Sequence, residues 1–368
     1  MNAHPMTSPL LYQPSMEVPE DDEQETTRGL VDTLRKISET VCKDEDHANR
    51  SVHAKGHGIL FAELEVLGGL PAALAQGAFA TPGRFPVVMR FSTTPGDLLD
   101  DNVSTPRGLA IKIIGVSGDR LPDSRNDVTQ DFLMVNGPAF GAPSAKKFLK
   151  NLKLLAATTD KAPGTKKVLS AALRGLETLV EKAGGASPTL VSLGGQKETN
   201  ILGETFFTQA PMLYGPYMAK LSVAPASHEL VALKDAPVDM HDRPNALRET
   251  VVEHFRDQGG TWDVRVQLCT DLASMPIEDS SVVWPEQASP YVSVGRLTGL
   301  PQVAWSTARA AAVDDGMSFS PWHSLAAHRP IGSIMRVRRA AYEMASQFRS
   351  QHNAVKVQEP RSLESLPS

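Results

Sequence analysis

The stretch Arg336-Val337-Arg338-Arg339-Ala340-Ala341-Tyr342-Glu343-Met344-Ala345-Ser346-Gln347-Phe348-Arg349 can do chemistry if it is helical. On a helix, Arg338 lies one turn before Tyr342 and Arg349 two turns after it, so the three side chains share a face. Ala345 and Ser346 keep the surface between them low, and a flat cofactor could lie along that stripe. A tyrosine ligates ferric iron as the phenolate. Its free pKa is near ~10, and an adjacent guanidinium, always charged, favours the ionised form. Tyrosine is among the axial ligands of haem iron. The same residues also suit an amphipathic surface helix with arginines in water and a half-buried tyrosine. This segment alone leaves both readings open.

Four further groups stand upstream: Arg50-Ser51-Val52-His53-Ala54-Lys55-Gly56, Arg90-Phe91-Ser92-Thr93, Pro106-Arg107-Gly108-Leu109-Ala110-Ile111-Lys112 and Asn136-Gly137-Pro138. Taken singly, His53 could be a satisfied core histidine, Arg90 to Thr93 an alternating strand, and Asn136-Gly137-Pro138 a turn. Other chemistries find no support. There is no GxxxxGK[ST] phosphate loop, no GxGxxG dinucleotide fingerprint and no HExxH. Lys55-Gly56-His57-Gly58 is glycine-rich but precedes a strand pattern rather than a helix. Asp239, His241 and Asp242 lack a further ligand at diagnostic spacing and read as a polar turn. The ten histidines are scattered, and no Ser/His/Asp set is readable from sequence.

These side chains depend on the elements that hold them. Leu30, Leu34, Ile37 and Val41 recur at helical spacing within 26–41. Strand candidates follow at 59–67, 86–94, 109–116 and 131–135, then helices at 144–156 and 166–182. A second set of strands, at 205–212, 219–223, 261–270 and 293–297, encloses a helix at 246–257, and a last helix covers 335–351. Eight strands in two groups of four, without βαβ alternation, predict a closed antiparallel barrel or a sandwich decorated by helices.

The chain has 368 residues, 41% of them hydrophobic, which is enough for a sizeable core in one large domain or two. Lys plus Arg total 37 against 42 Asp plus Glu, a net charge of -5, which argues against a nucleic-acid partner. Cys42 and Cys269 cannot build a disulfide framework, and a reducing compartment fits best. Met1 to Gln24 has no signal-like apolar run and carries the acidic cluster Glu20 to Glu23, so positions 1–25 read as a flexible arm. Positions 353–368 read as a polar tail. No run approaches the length of a membrane span. A cytoplasmic protein is expected.

Together, and in this order, the five motifs resemble the haem catalase family, and the Arg338-to-Tyr342 and Tyr342-to-Arg349 spacings match it as well. The resemblance runs from about Arg50 to Arg349. It implies an α+β fold, an eight-stranded antiparallel β-barrel with surrounding helices and no C-terminal helical domain, with 26–352 as the haem-binding core. By this resemblance His53 is the distal histidine, Ser92 the serine that bonds and orients it, and Asn136 the distal asparagine. Tyr342 is the axial ligand of haem b, with Arg338 beside it; no Cys-x-x-Cys-His attachment motif exists. Arg50, Arg90 and Arg349 match the arginines around the haem propionates, Val52 joins the cofactor contacts, and Phe140 and Phe148 match pocket phenylalanines. A peroxide must lose a proton from one oxygen and regain one on the leaving oxygen. One imidazole can do both, and an amide donor can steady the charge.

Three departures from the family bear on the second substrate. The chain ends about 19 residues after Arg349, so a minimal core is expected. Thr94 replaces a channel valine and Thr105 a channel aspartate. Positions 115–130 form an apparent insert of roughly ten residues that could reshape the haem mouth. A wider, less apolar channel favours larger peroxides or organic donors. The sequence therefore resembles the small catalase-related peroxidases, reducing hydrogen peroxide or organic hydroperoxides at the expense of a small organic electron donor, with weak residual catalase activity. The alternatives are a true catalase, a fatty-acid hydroperoxide isomerase of the allene oxide synthase kind, and a haem-binding protein without activity. A monomer or homodimer is expected, and NADPH binding is not.

Overall fold

Alternation along the strands sorts the chain into an inside and an outside. The computed structural model describes residues 8–103, 105–159 and 197–367. In it, β1 (Lys55–Val66) is followed by β2 (Gly83–Thr93) and β3 (Arg107–Ile114). Val87, Met89 and Phe91 of β2 and Leu109, Ile111 and Ile113 of β3 enter one apolar interior. The intervening Val88 and Ile114 pack instead with Val313, Met317 and Phe319, outside the barrel wall. Arg90 and Ser92 share the parity of Val88, so the sheet register puts both on that outer face.

The remaining strands are β4 (Thr129–Val135), β5 (Phe206–Phe207), β6 (Met212–Tyr214), β7 (Tyr217–Pro225), β8 (Gly260–Leu268) and β9 (Val292–Gly299). Eight of the nine close an antiparallel barrel in the order β1-β2-β3-β4-β5-β7-β8-β9, with β9 returning to β1. The short β6 pairs only with β7 and hangs on it as a hairpin arm. The barrel is thus the eight-stranded, helix-decorated one expected. The expected strand at 205–212 is two pieces, because Gln209 takes a left-handed φ of 61° between them. Its side-chain amide donates to the carbonyls of Gly137 at 3.0 Å and Ala139 at 2.6 Å, tying this kink to the turn after β4.

Four longer helices are described: α1 (Glu23–Glu45), α2 (Ala145–Thr159), α3 (Ala246–Asp257) and α4 (Ser333–His352). The expected helix at 166–182 lies outside the described residues. α1 runs past its apolar repeat at both ends; Glu23 and Glu25 suit the positive end of the helix dipole. Leu30, Leu34, Ile37 and Val41 of α1 cluster with Val337, Ala341, Met344 and Phe348 of α4. Each large side chain so buried stabilises by about 1.5–3 kcal/mol, which fixes α4 in rotation about its axis. Its stripe of Arg338, Tyr342 and Arg349 then occupies the neighbouring face.

α4 starts where only glycine fits. Gly332 has φ 85°, and a Cβ there would stand 2.1 Å from the Ile277 carbonyl oxygen. Arg336, in the first turn, bonds Glu17, Glu23 and Glu278 at 2.7–2.9 Å. The arm expected to be flexible is held over its described part, because its polar atoms find partners. Leu10 N–H donates to Cys269 O and Tyr12 N–H to Pro216 O, each at 2.8 Å, and Glu17 also bonds Arg329. The tail is anchored too: Glu359 pairs with buried Lys112, and Leu363 and Leu366 cover the outer apolar cluster. No helix among the described residues is long and apolar enough to cross a membrane.

Candidate active site

His53 lies in the connection between α1 and β1 with φ 56°, a left-handed conformation unusual for a residue with a side chain. Its Nδ1 stands 3.4 Å from Ser92 Oγ, a long hydrogen bond. Gly108 makes room beneath the ring, since a Cβ there would approach Nδ1 to 2.5 Å. Gly108 is paired with Ser92 in the β2–β3 register and with Val135 in β3–β4, so Asn136 falls at the same end of the barrel wall. Burial, then the positive charges of Arg90 and Arg338, push His53 down to about 3. The imidazole is therefore neutral at neutral pH.

Asn136 is fixed by partners that sequence reasoning did not foresee. Its Oδ1 accepts from the Arg107 N–H at 3.0 Å, and its Nδ2 donates to Glu204 Oε2 at 3.1 Å. One donor and one acceptor on opposite ends of a carboxamide define which end is which. Glu204 is itself paired with the buried Arg107 guanidinium and accepts from Thr199 Oγ1 at 3.0 Å. The Pro-Arg-Gly motif carried the signal for Arg107 and Gly108. Nothing near Glu204 in sequence carried one for Glu204.

On α4, the expected one-turn spacing is realised. Arg338 Nη2 donates to Tyr342 Oη at 2.6 Å, and the guanidinium carbon lies 5.1 Å from the ring centroid. The charge of Arg338 is also the last of the three causes that lower His53.

Arg50, Arg90 and Arg349 gather around one carboxylate, Asp314. It belongs to the π-helical turn Ala311–Asp315 that leads from the barrel toward α4. Asp314 Oδ1 accepts from Arg90 Nε at 2.5 Å and lies 3.7 Å from Arg50 Nε. Burial raises the Asp314 carboxyl, but Arg90 and Arg50 outweigh it and hold the group below its ordinary value. Burial, then Arg349 and Arg90, pushes Arg50 well below its usual value, and burial brings Arg349 down to about 10. Arg90 and Arg50 thus lie 2.5 and 3.7 Å from Asp314, and the charges of Arg349 and Asp315 also act within this group. The Nε atoms of Arg50 and Arg349 are buried without a hydrogen-bond partner. A group with two carboxylates would answer both deficits, charge and hydrogen bonds. Together with a cation-backed tyrosine, the donor set fits haem.

The other expected residues are placed less centrally. The Phe140 and Phe148 rings pack on each other, edge to face with centroids 5.0 Å apart, and Phe148 leans on the α1–α4 cluster. Val52 is exposed. Thr94 takes the Pro106 carbonyl as its neighbour, through N at 3.1 Å and Oγ1 at 3.5 Å. The insert at 115–130 folds back on 323–326 rather than extending freely, with Leu121 N–H bonded to Ser324 O and Ser124 Oγ to Ser324 O. Its Asp123 pairs with Arg339 of α4. A larger cavity, about 550 Å³, opens among Ser227, Gly259, Gly260, Leu300 and Pro301 and includes none of these residues.

A closed eight-stranded antiparallel barrel with helices around it matches the catalase fold. A fungal catalase superposes with a TM-score of 0.57 and 18% identity, over 87% of this chain and 65% of that one. Catalase A of Saccharomyces cerevisiae gives 0.57 and 17%, over 88% and 67%. A bacterial catalase gives 0.57 and 15%, over 87% and 61%. The chain therefore spans roughly two thirds of the length of these catalases. No protein-family model and no curated protein matches it.

Proposed function

We propose that the chain is a haem b peroxidase, reducing hydrogen peroxide or organic hydroperoxides and oxidising a small organic donor, with Tyr342 as the axial ligand. The observations that carry this reading are geometric: Arg338 holds the Tyr342 oxygen at 2.6 Å, and Arg50 and Arg349 carry buried Nε atoms without a hydrogen-bond partner. Arg50 and Arg349 would hold the propionates. Haem, when bound, supplies the iron at which the O–O bond is cleaved and the redox capacity that a donor then restores. His53, oriented through Nδ1 by Ser92, takes the peroxide proton and returns it to the departing oxygen. Asn136 offers an amide donor at the same end of the wall.

Thr94 and Thr105 favour the peroxidase over the dismutase, because two hydroxyl side chains stand where the family keeps an apolar constriction and a carboxylate. A true catalase is the second reading, favoured by the fold of the solved relatives. Haem-reconstituted protein given hydrogen peroxide, with and without guaiacol, separates them. Rapid donor oxidation with slow oxygen release is expected. Fast oxygen release that ignores guaiacol would establish the catalase.

A further inference from the structure

We propose that Asp314 is a positioning residue for His53 and acts through Arg90, an inference that rests on His53 being the acid-base group of the proposed function. The resemblance gave Arg50, Arg90 and Arg349 a common role at the propionates. The structure separates them. Arg90 is 2% exposed, and all three of its nitrogens are engaged within the protein. Nη1 donates to the His53 carbonyl at 2.9 Å, Nη2 to the Ala54 carbonyl at 3.0 Å, and Nε to Asp314 Oδ1 at 2.5 Å. Arg50 and Arg349, by contrast, keep buried Nε atoms without a hydrogen-bond partner, that of Arg50 standing 3.7 Å from Asp314 Oδ1.

A histidine at φ 56° holds that conformation only when its surroundings impose it. Ser92 and Gly108 constrain the ring, whereas the Arg90 fork grips the two successive carbonyls. The fork is planar and rigid, so the third contact, at Nε, sets its direction. Asp314 makes that contact from a turn whose Val313 is buried against Ile59 and Val88 of the barrel wall. Glycine at 56 leaves room for the pair, since a Cβ there would lie 3.3 Å from Asp314 Oδ2 and 3.7 Å from Arg90 Nη2. Asp314 thus reaches the backbone of the base across 261 residues of sequence.

The test begins with haem-free protein, in which His53 is followed by its imidazole NMR signals, identified by their loss in His53→Ala, and Ala54 and Lys55 by amide exchange. Asp314→Asn should shift the His53 signals and speed exchange at Ala54 and Lys55 by ~10-fold, and Asp314→Glu should restore most of both. Arg90→Lys keeps the charge opposite Asp314 but loses the fork, and should reproduce the effect; it carries the test if Asp314→Asn fails to fold. In haem-loaded protein, Asp314→Asn should slow peroxide cleavage by ~10-fold at saturating peroxide with KM little changed. Unaltered His53 signals and exchange in a folded Asp314→Asn would overturn the proposal. Wild-type protein that takes up no haem, or takes it up without reacting with peroxide, would overturn the proposed function instead. The haem-free measurements keep the two failures apart.

Discussion

Two histidines sit on opposite sides of the barrel wall. His328 belongs to the interior, its ring centroid 5.3 Å from Tyr214, 5.5 Å from Phe132 and 5.9 Å from Phe79. Its Nε2 accepts the Ala78 N–H at 2.9 Å. His53 belongs to the outer wall, among Ser92, Arg90 and the charge of Arg338. Burial pushes His328 down to about 4 and His53 to about 3. The direction of the shift is common to both and identifies neither role. What differs is the company: aromatic rings and a backbone N–H on one side, cations and a hydroxyl on the other. A depressed histidine marks a site only when charged partners converge on it.

Function should therefore divide along the wall. The largest effect is expected from Tyr342→Phe, which should lose haem or change its ligation; an unchanged absorption spectrum would remove Tyr342 as the ligand. His53→Ala should keep haem yet slow peroxide cleavage by ~10²-fold. His328→Gln, which preserves an acceptor for Ala78, should leave the cleavage rate within ~2-fold while lowering stability by about 1–3 kcal/mol. Stopped-flow mixing with peroxide and a thermal melt on both variants decide the matter. A rate loss in His328→Gln comparable to that in His53→Ala would dissolve the distinction.

The same two residues predict how stability depends on pH. A histidine with a depressed folded pKa binds its proton more weakly when folded, so the unfolded chain takes up more protons below about 6.5. Stability should be fully present above that pH and fall as pH drops from 6.5 toward 4. His57, also pushed well down by burial and then by Lys55, adds to the slope. His323 opposes it, because Asp131 and Glu359 outweigh burial and raise its pKa. His328→Gln should flatten the slope between pH 6.5 and 4. Denaturant melts across that range test this, and an unchanged slope would mean that the ring titrates when folded much as it does when unfolded.

Some of this was legible in the sequence, for physical reasons. One helical turn sets the Arg338–Tyr342 contact whatever the surroundings, and strand parity places Arg90 and Ser92 on the face opposite Phe91. The strand count predicted a barrel or a sandwich, and the family resemblance pointed to the barrel that is found. Asp314 and Glu204 were not legible, because each meets its partner through the tertiary fold, Asp314 over 224 residues to Arg90 and Glu204 over 68 to Asn136. The common role expected of three arginines could not be divided without seeing which nitrogens were already engaged. The break at Gln209 was hidden because a left-handed φ on a non-glycine residue has no sequence mark.

The smallest effect should come from the channel positions, and it bears on which substrate the outer wall admits. Thr94 touches the Pro106 carbonyl, and Thr105 lines a small cleft with Thr93 and Arg107. Thr94→Val removes a hydroxyl from a partly buried position, and Thr105→Asp adds a carboxylate near the Arg107 guanidinium. Neither change touches His53, Ser92 or Tyr342, so haem uptake and the first peroxide cleavage should be unchanged. The double variant should raise oxygen release by roughly 3- to 10-fold and lower guaiacol oxidation, because about 0.7–1.4 kcal/mol of selectivity moves a rate ratio by that much. Oxygen release that stays at the wild-type level would move the limit elsewhere, and the nearest structural difference is then the Asp123–Arg339 contact through which the insert reaches α4.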